Sequence, residues 1–415
     1  MLEHFSKIFH PFLSAFRKGY SCQSILLRFI EDAKEAIDNK EIVGAIFMDI
    51  SKAFDCLPKG LLIAKLKAYG FTYFSCELIA SYLSNRKQRV KICGSSSDWK
   101  HLEKGVPQGS ILGPLLFNVF LNDLFYFIQK CSLYNFAEDN SLLNAAPDIG
   151  SVMTNLKCDT DNCLEWFIEN GMEANPNKFQ FMIISSQPTP KTAFHITDDI
   201  EISSDFKIEV LGILIDDKLT FNDHIKKLCT RAGRQLNALS RISKFLSFNS
   251  RKIVFKSFVM SNFAYCPLIW HFCGKKNNAK IEKIQERALR IVCGDYISNY
   301  KELMDTLGEK TVLQSRINCI LVEVFRSLNH MNPTYIQESV RYKASPYNHR
   351  NSSLLLQPLK RTTNFGLRSF SYLAPKLWND LTNKYDIGDF DMNNFKLFLK
   401  EWEGPNYDYI SNFYV

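Results

Sequence analysis

The sequence predicts an α+β fold, and three stretches carry that prediction. Residues 45–48 are apolar or small and lead directly into Asp49, which is typical of a strand buried on both faces. Around Glu138 and Asp139, apolar residues flank a short acidic centre, as in a hairpin with carboxylates at its tip. After residue 216 the pattern changes to long amphipathic helices. We therefore expect a sheet that carries two acidic sites, followed by a helical part.

The composition is that of an ordinary globular protein with two or three domains. Of its 415 residues, 46% are hydrophobic and 23% charged. The net charge is +8, but residues 222–300 contain 15 Lys or Arg and 4 Asp or Glu, a balance of +11 that leaves −3 elsewhere. Such a segment favours a polyanionic partner such as a nucleic-acid backbone. The alternative is a set of solvated helix faces.

Cysteine usage predicts an intracellular, reduced protein, in the nucleus or the cytoplasm. The twelve cysteines form no C-x-x-C pair, and no signal peptide is recognisable. Cys266, His271 and Cys273 lie close in sequence, but their aromatic surroundings favour core packing over a metal site. No apolar run reaches the ~18 residues that span a bilayer, so no membrane partner is expected.

In chain order, the first predicted helix covers residues 24–37, with apolar side chains on one face. Asp49 then ends its strand, where a buried charge is costly unless a metal ion or hydrogen bonds compensate it. Pro58 opens a second amphipathic helix. The small residues from 105 to 114 form a loop that a substrate can approach closely, and Ser110 can cap the helix that follows.

Beyond the acidic tip, residues 152–170 predict a helix and residues 179–185 a strand. Residues 208–215 predict another strand, in which Gly212 permits close approach of a second backbone. The helical part is predicted as four main helices: one that Asn222 caps and that runs to about 245, one from Ser250 to 260, one over 279–292 and one over 312–328. Residues 362–381 are rich in aromatics, which either pack a core or stack on bases.

Three of these stretches, in this order, resemble the reverse transcriptases of non-LTR retrotransposons, and jockey-like elements above all. Residues 47–55 (FMDISKAFD) resemble the first catalytic motif, residues 105–114 (GVPQGSILGP) the template-and-nucleotide motif, and residues 136–139 (FAED) the second catalytic motif. The resemblance implies a right-hand polymerase. In chain order, such a polymerase would comprise partial fingers at 1–40, a palm with returning fingers elements at 41–215, a basic helical thumb at 216–300 and a helical, aromatic-rich C-terminal region at 301–415.

The implied activity is that of an RNA-directed DNA polymerase that extends a DNA primer on an RNA template from dNTPs. It implies two Mg²⁺ ions, with Mn²⁺ as a possible substitute. Asp49, Glu138 and Asp139 are then the catalytic carboxylates and, with the Ile50 carbonyl, the metal ligands. Lys178 is implied as the general acid for the departing pyrophosphate. The alternative for Lys178 is a strand-end lysine that faces solvent.

The resemblance also implies nucleotide-binding residues. Arg17 would hold the triphosphate, Phe54 would exclude a ribose 2′-hydroxyl, and Gln108 with Gly109 would position the base pair. The residues alone favour a surface arginine at Arg17 and a core aromatic at Phe54, and the alternative for the Gln108 loop is a plain turn before a helix. The implied nucleic-acid-binding set comprises the primer-grip glycine and eight thumb cations: Gly212, Lys226, Lys227, Arg231, Arg234, Lys280, Lys283, Arg287 and Arg290.

Two features depart from the family pattern. Active members carry two aspartates where this chain has Glu138-Asp139, and the extra methylene disturbs the near-ideal octahedral geometry that Mg²⁺ requires. We therefore expect impaired activity, and the alternative is a dead relic that only binds nucleic acid. The chain also begins downstream of further fingers motifs, so we expect a truncated copy and an endonuclease outside this chain. The sequence indicates no oligomeric state, and nothing in it supports a purely structural role.

Overall fold

The computed structural model describes residues 8–343 and 354–405, and the chain divides into two compact units. Unit 1 comprises Met1–Ser21 with Glu41–Phe206, and unit 2 comprises Cys22–Lys40 with Lys207–Val415. These units differ from the four predicted segments, because residues 22–40 group with the C-terminal part. As functional domains, the four segments stay a prediction.

Helix α1 (Cys22–Asp38) explains this grouping, since its acidic side chains hold the backbone of the C-terminal region. Asp38 accepts hydrogen bonds from the backbone N–H groups of Arg361 (3.0 Å) and Thr362 (2.7 Å). Glu31 accepts from those of Phe370 (2.7 Å) and Ser371 (2.8 Å). Local periodicity predicts the helix at residues 24–37 but cannot show contacts that span more than 300 positions.

Besides short 3₁₀ turns, the elements of unit 1 are α-helices and short strands. In chain order they are β1 (Ile42–Met48), α2 (Ala53–Cys56), α3 (Lys59–Ala68), α4 (Tyr73–Leu83), β2 (Lys87–Gln88), β3 (Lys91–Ile92), β4 (Ser95–Ser96), β5 (Lys100–His101), α5 (Leu112–Leu121), β6 (Ser132–Phe136), β7 (Asp139–Ala146), α6 (Ile149–Glu169), β8 (Gln180–Ile184), β9 (Ala193–His195) and β10 (Glu201–Ser203). The predicted helix at 152–170 and the predicted strand at 179–185 are thereby confirmed.

Four of these strands form an antiparallel sheet in the order β6-β7-β1-β8. Strand β1 lies inside it, and its residues after Ile42 are all buried, which confirms the prediction of a strand covered on both faces. Helix α6 packs closely on one face. A Cβ atom on Gly44 would lie 2.5 Å from the Val152 side chain and 2.7 Å from that of Leu156, so only glycine admits the helix there.

Unit 2 is mainly helical and begins with α1. From Lys207 onward its elements are β11 (Lys207–Val210), β12 (Ile213–Asp216), α7 (Asn222–Ile242), α8 (Phe248–Val254), α9 (Lys275–Cys293), α10 (Tyr300–Leu307), α11 (Val312–Leu328), α12 (Thr334–Glu338), α13 (Phe370–Thr382) and α14 (Met392–Glu401). The long amphipathic helices that the sequence predicts are present, and α11 has the predicted bounds.

The prediction of one strand over residues 208–215 is wrong. The segment folds back on itself as the β11–β12 hairpin, with Leu211 (φ 47°) and Gly212 (φ 79°) in its turn. Two successive left-handed residues are what a two-residue hairpin turn of type I′ needs. The apolar residues on both sides of Leu211 concealed this turn, because alternation and a tight hairpin look alike over eight residues.

Two predicted helix starts also need correction. Asn222 was predicted to cap α7, but it is the first helical residue. The capping position belongs to Phe221 (φ 58°), whose side chain makes no capping hydrogen bond. Helix α8 is capped by Ser247, whose hydroxyl accepts from the Ser250 N–H (3.2 Å). It ends at Val254 and continues as a π-helical turn, Phe255–Val259, rather than as one α-helix.

The aromatic C-terminal stretch packs a core. Phe370, Leu373 and Trp378 are buried, and the ring of Phe325 stacks on that of Phe395 at 4.6 Å. Residues 266, 271 and 273 are buried as well, which supports packing over a metal site. Across the described ranges, no helix is both long and apolar enough to cross a membrane.

Candidate active site

The register between β1 and β7 brings the two acidic sites together. Met48, the last residue of β1, pairs with Asn140, and extending this register by one residue sets Asp49 opposite Asp139. In the β6–β7 hairpin Phe136 pairs with Asp139, which leaves Ala137 and Glu138 as a two-residue turn. Carboxylates 90 positions apart in sequence therefore meet at one end of the sheet. Asp139, rather than Glu138, is the residue directly across from Asp49.

The electrostatics of this end reflect that proximity. Partial removal of Asp139 from water, together with the negative charges of Glu138 and Asp49, raises the pKa of the Asp139 carboxyl. The Asp139 side chain nevertheless remains accessible to solvent. A positively charged ligand at this position would therefore stabilise the ionised form of the Asp139 carboxyl.

Lys178 supplies one positive group. Its Nζ lies 3.0 Å from Asp49 Oδ2, with the two side chains 63% and 39% exposed. An exposed ion pair of this kind contributes only ~0–1 kcal/mol, so a ligand can displace the ammonium group at little cost. Lys178 thus lies beside Asp49, and its high exposure also agrees with the solvent-facing alternative, so its role as general acid stays a prediction.

Backbone hydrogen bonds fix Lys178 beside Asp49. The N–H of Asn175 donates to the Asp49 carbonyl (3.1 Å), and the N–H of Ser51 donates to the Glu173 carbonyl (2.9 Å). Neither bond uses the carbonyl of Ile50, the one predicted to bind metal. The turn Pro176–Lys178 then leads into β8, the neighbour of β1.

The donor chemistry of this site suits a hard cation, because carboxylate and carbonyl oxygens are the ligands that Mg²⁺ prefers. Within the described ranges, however, no three His, Cys, Asp or Glu side chains are placed to hold an ion together. Asp49 and Asp139 are adjacent, whereas Glu138 stands in the turn. The predicted four-ligand set thus stays a prediction, with two of its carboxylates side by side.

The Gln108 loop is fastened to the segment that follows Asp49. Gln108 Nε2 lies 3.1 Å and 3.2 Å from the two carboxylate oxygens of Asp55. The Val106 N–H donates to the Phe54 carbonyl (2.9 Å). At Gly105 (φ 80°) a Cβ atom would lie 2.7 Å from the Asp55 backbone, so the two segments touch through glycine.

Asp55 is the site residue that sequence reasoning missed. It lies inside the first motif, yet an aspartate in the first turn of a helix is usually explained by the helix dipole alone. The available signal was chemical: Gln108 needs a partner that fixes which end of its amide faces outward. A carboxylate only accepts, so it holds the NH₂ group and leaves the amide oxygen outward.

The other predicted nucleotide-binding residues have mixed surroundings. The Phe54 ring is half-buried, stacked on Phe117 (4.2 Å between centroids) and edge-on to Phe16 (6.1 Å). Gly109 has φ 77° and open space around it. Arg17 Nη1 donates to the carbonyls of residues 10 and 13, at 2.8 Å each. These contacts explain local structure, and the nucleotide-binding roles stay predictions.

The predicted nucleic-acid-binding residues lie in unit 2. Gly212 takes its turn conformation there, and its nearest neighbour would be the Tyr265 ring (3.5 Å from an added Cβ) rather than a second backbone. Lys227 pairs with Glu209 and Arg290 with Glu286, each at 2.7 Å. The remaining six cations have no carboxylate of the described ranges within ion-pair distance: Lys226, Arg231, Arg234, Lys280, Lys283 and Arg287.

Known proteins resemble this chain over the same region. Among curated relatives, "Probable RNA-directed DNA polymerase from transposon BS" of Drosophila melanogaster is 29% identical over 300 residues, 68% of this chain and 32% of the relative. "RNA-directed DNA polymerase from mobile element jockey" of Drosophila funebris is 26% identical over 306 residues, 70% of this chain and 33% of the relative. The chain thus spans about a third of these relatives.

A solved telomerase structure from Candida Tropicalis is 13% identical to this chain. The match covers 81% of this chain and 59% of the telomerase chain, with a TM-score of 0.39. The decisive match is to a whole family. The sequence pattern described as "Reverse transcriptase (RNA-dependent DNA polymerase)" matches residues 1–228, just over half of the chain. The chain therefore belongs to the reverse transcriptase family, with relatives in the BS and jockey elements.

Proposed function

We propose that this chain extends a DNA primer on an RNA template from dNTPs, as a reverse transcriptase of a jockey-like retrotransposon. The observation that carries the proposal is the register that sets Asp49 opposite Asp139. Membership of the family gives the reaction class, and the paired carboxylates give this chain a place to perform it.

Divalent cations, Mg²⁺ or Mn²⁺, would be held by Asp49 and Asp139, with Glu138 and the Ile50 carbonyl as further donors. When bound, such ions lower the pKa of the primer 3′-hydroxyl and neutralise the triphosphate. The mutual repulsion at Asp139 supports this assignment, because a cation is what removes it.

The chain's own side chains then divide the remaining work. Lys178 leaves Asp49 and donates a proton to the departing pyrophosphate, a step that its weak, exposed ion pair permits. Gln108, with its NH₂ group held by Asp55, presents its amide oxygen to the nascent base pair. Phe54, fixed by Phe117, stands five residues after Asp49 as the barrier to a ribose 2′-hydroxyl.

The basic helices α7 and α9 would bind the template–primer duplex through its phosphates, without sequence preference. The twelve free cysteines agree with a reducing compartment, so we place the reaction inside the cell.

A primer-extension assay on an RNA template tests the proposal, first with Mg²⁺ and then with Mn²⁺, which tolerates distorted geometry better. We expect extension that Asp49→Asn reduces by at least about 10²-fold, as misplacing a reacting group does. Asp161→Asn is the matched control, because Asp161 is an exposed aspartate on α6 that pairs only with Lys157. Equal extension by wild type and Asp49→Asn would refute the proposal. Salt-sensitive binding without extension in either metal would instead support the non-catalytic relic.

A further inference from the structure

Two buried asparagines lie beneath the acidic turn. Asn135 on β6 and Asn140 on β7 pair in the strand register, and their side chains are 0% and 1% exposed. Asn135 Nδ2 donates to Asn140 Oδ1 (2.9 Å) and to the Ala137 carbonyl (2.8 Å). Asn140 Nδ2 donates to the Glu138 carbonyl (3.1 Å). Both carbonyls of the two-residue turn are therefore held by one amide pair.

The turn needs such support because its conformation is costly. Ala137 has φ 56°, in the left-handed region that costs a residue with a Cβ atom about 1–2 kcal/mol. Tight hairpin turns normally place glycine or asparagine there, and this one has alanine followed by glutamate. A strained turn persists only where the surrounding structure over-determines it. The amide pair supplies that constraint from inside the protein.

Ordinary packing does not explain the pair. At these buried positions on the core face of the hairpin, apolar residues would avoid the cost of desolvating two amides. The pair also leaves Asn135 Oδ1 buried without a hydrogen-bond partner among the described residues, which typically costs ~1–3 kcal/mol. A polar pair retained at this cost directly under two carboxylates points to a requirement on the turn itself.

We propose that Asn135 and Asn140 are positioning residues that fix the backbone of the turn and thereby aim Glu138 and Asp139 towards Asp49. Glutamate has one more torsion than aspartate, so the place of its carboxylate depends more strongly on a fixed backbone. The amide pair thereby lets the longer side chain of Glu138 reach a defined position. The catalytic consequence rests on the proposed function, whereas the constraint on the turn does not.

The first test needs no activity. In the double variant Asn135→Leu/Asn140→Leu both partners are removed together, which avoids leaving one amide unpaired in the core. We expect backbone hydrogen exchange in residues 134–142 of the metal-free protein to become at least about tenfold faster. Asn144→Leu is the matched control, since Asn144 is a buried asparagine on the same strand that donates to Lys130 O (2.8 Å), away from the turn. Unchanged exchange in the double variant, or the same change in Asn144→Leu, would overturn the proposal.

The second test joins the turn to the site. Mn²⁺ affinity, measured directly, should weaken at least about threefold in the double variant and remain unchanged in Asn144→Leu. Asn140→Ser, which keeps a hydroxyl donor, should retain part of the affinity and serves if the double variant fails to fold. If the double variant shows faster hydrogen exchange but unaltered Mn²⁺ affinity, the asparagine pair only supports the structure of the turn, and the positioning role is overturned. Wild type that binds no Mn²⁺ would count against the proposed function, while the exchange result would still decide the claim about the turn.

Discussion

The acidic end of the sheet and the basic helices hold their charges in opposite ways. Near Asp49, individual side chains are held by specific partners, Asp49 by Lys178 and Gln108 by Asp55. On α7 and α9, six of the eight predicted cations have no carboxylate partner among the described residues. The first region depends on geometry and the second on summed charge. Substitutions should therefore have large, position-specific effects at the acidic end and small, additive effects on the helices.

The largest gain in activity should come from restoring an aspartate in the turn. In Glu138→Asp the carboxylate moves back by roughly one bond length, and an error of ~1 Å in positioning costs ~10²-fold in rate. We expect primer extension with Mg²⁺ to rise by about ten- to a hundredfold, and with Mn²⁺ by much less. The ratio of the two rates is the measurement. An equal or lower rate with Mg²⁺ would show that the extra methylene is not the defect. Glu169→Asp, at the end of α6, is the control for the same change of side chain.

An intermediate effect is expected at Asp55, which holds the Gln108 amide. In Asp55→Ala the amide loses its acceptor, and a hydrogen bond to a charged group contributes ~1.5–3 kcal/mol when shielded and less here, because the contact is exposed. We expect kcat/KM for the incoming dNTP to fall about three- to tenfold, with misincorporation rising. Asp55→Asn keeps a hydrogen-bond acceptor, so its kcat/KM should lie between the values of wild type and Asp55→Ala. Asp98→Ala, at an exposed aspartate between β4 and β5, is the control. Unaltered kcat/KM in Asp55→Ala would show that Asp55 does not position Gln108 for nucleotide binding.

The smallest single effects should occur on the basic helices. Alanine at Lys226, Arg231, Arg234 or Lys283 should weaken duplex binding about two- to fivefold each. It should also reduce the slope of log affinity against log salt by roughly 0.7–0.9 per lost phosphate contact. Lys227→Ala should change the slope less, because Glu209 already neutralises that side chain. If a variant with all four alanine substitutions kept the wild-type slope of log affinity against log salt, these helices would not bind nucleic acid.

The sequence predicted the parts of this fold that depend on local pattern. The buried strand before Asp49, helices α6, α9 and α11 and the meeting of the two acidic sites all follow from periodicity and from the resemblance. The hairpin at 207–216 was missed because its two left-handed turn residues lie within an apolar run that has the pattern of a single strand. The packing of α1 against residues 361–371 could not be predicted from local pattern, because it depends on hydrogen bonds between carboxylates and backbone N–H groups far apart in sequence.

The missed residues of the site have the same explanation. Asp55 and the pair Asn135 and Asn140 act on other side chains or on backbone carbonyls, so their meaning exists only in three dimensions. The resemblance implied both Glu138 and Asp139 as catalytic carboxylates beside Asp49, without deciding which of them faces it. The register places Asp139 opposite Asp49. Both residues stay candidates for holding cations, and the turn conformation decides between them.

The most direct test of the central claim is a titration of the wild-type chain with Mn²⁺, with free ion followed by electron paramagnetic resonance. If Asp49 and Asp139 share cations, each of Asp49→Asn and Asp139→Asn should weaken Mn²⁺ binding by at least about tenfold, and Asp161→Asn should leave it unchanged. Mn²⁺ binding that is equally tight in wild type and in both site variants would contradict the claim.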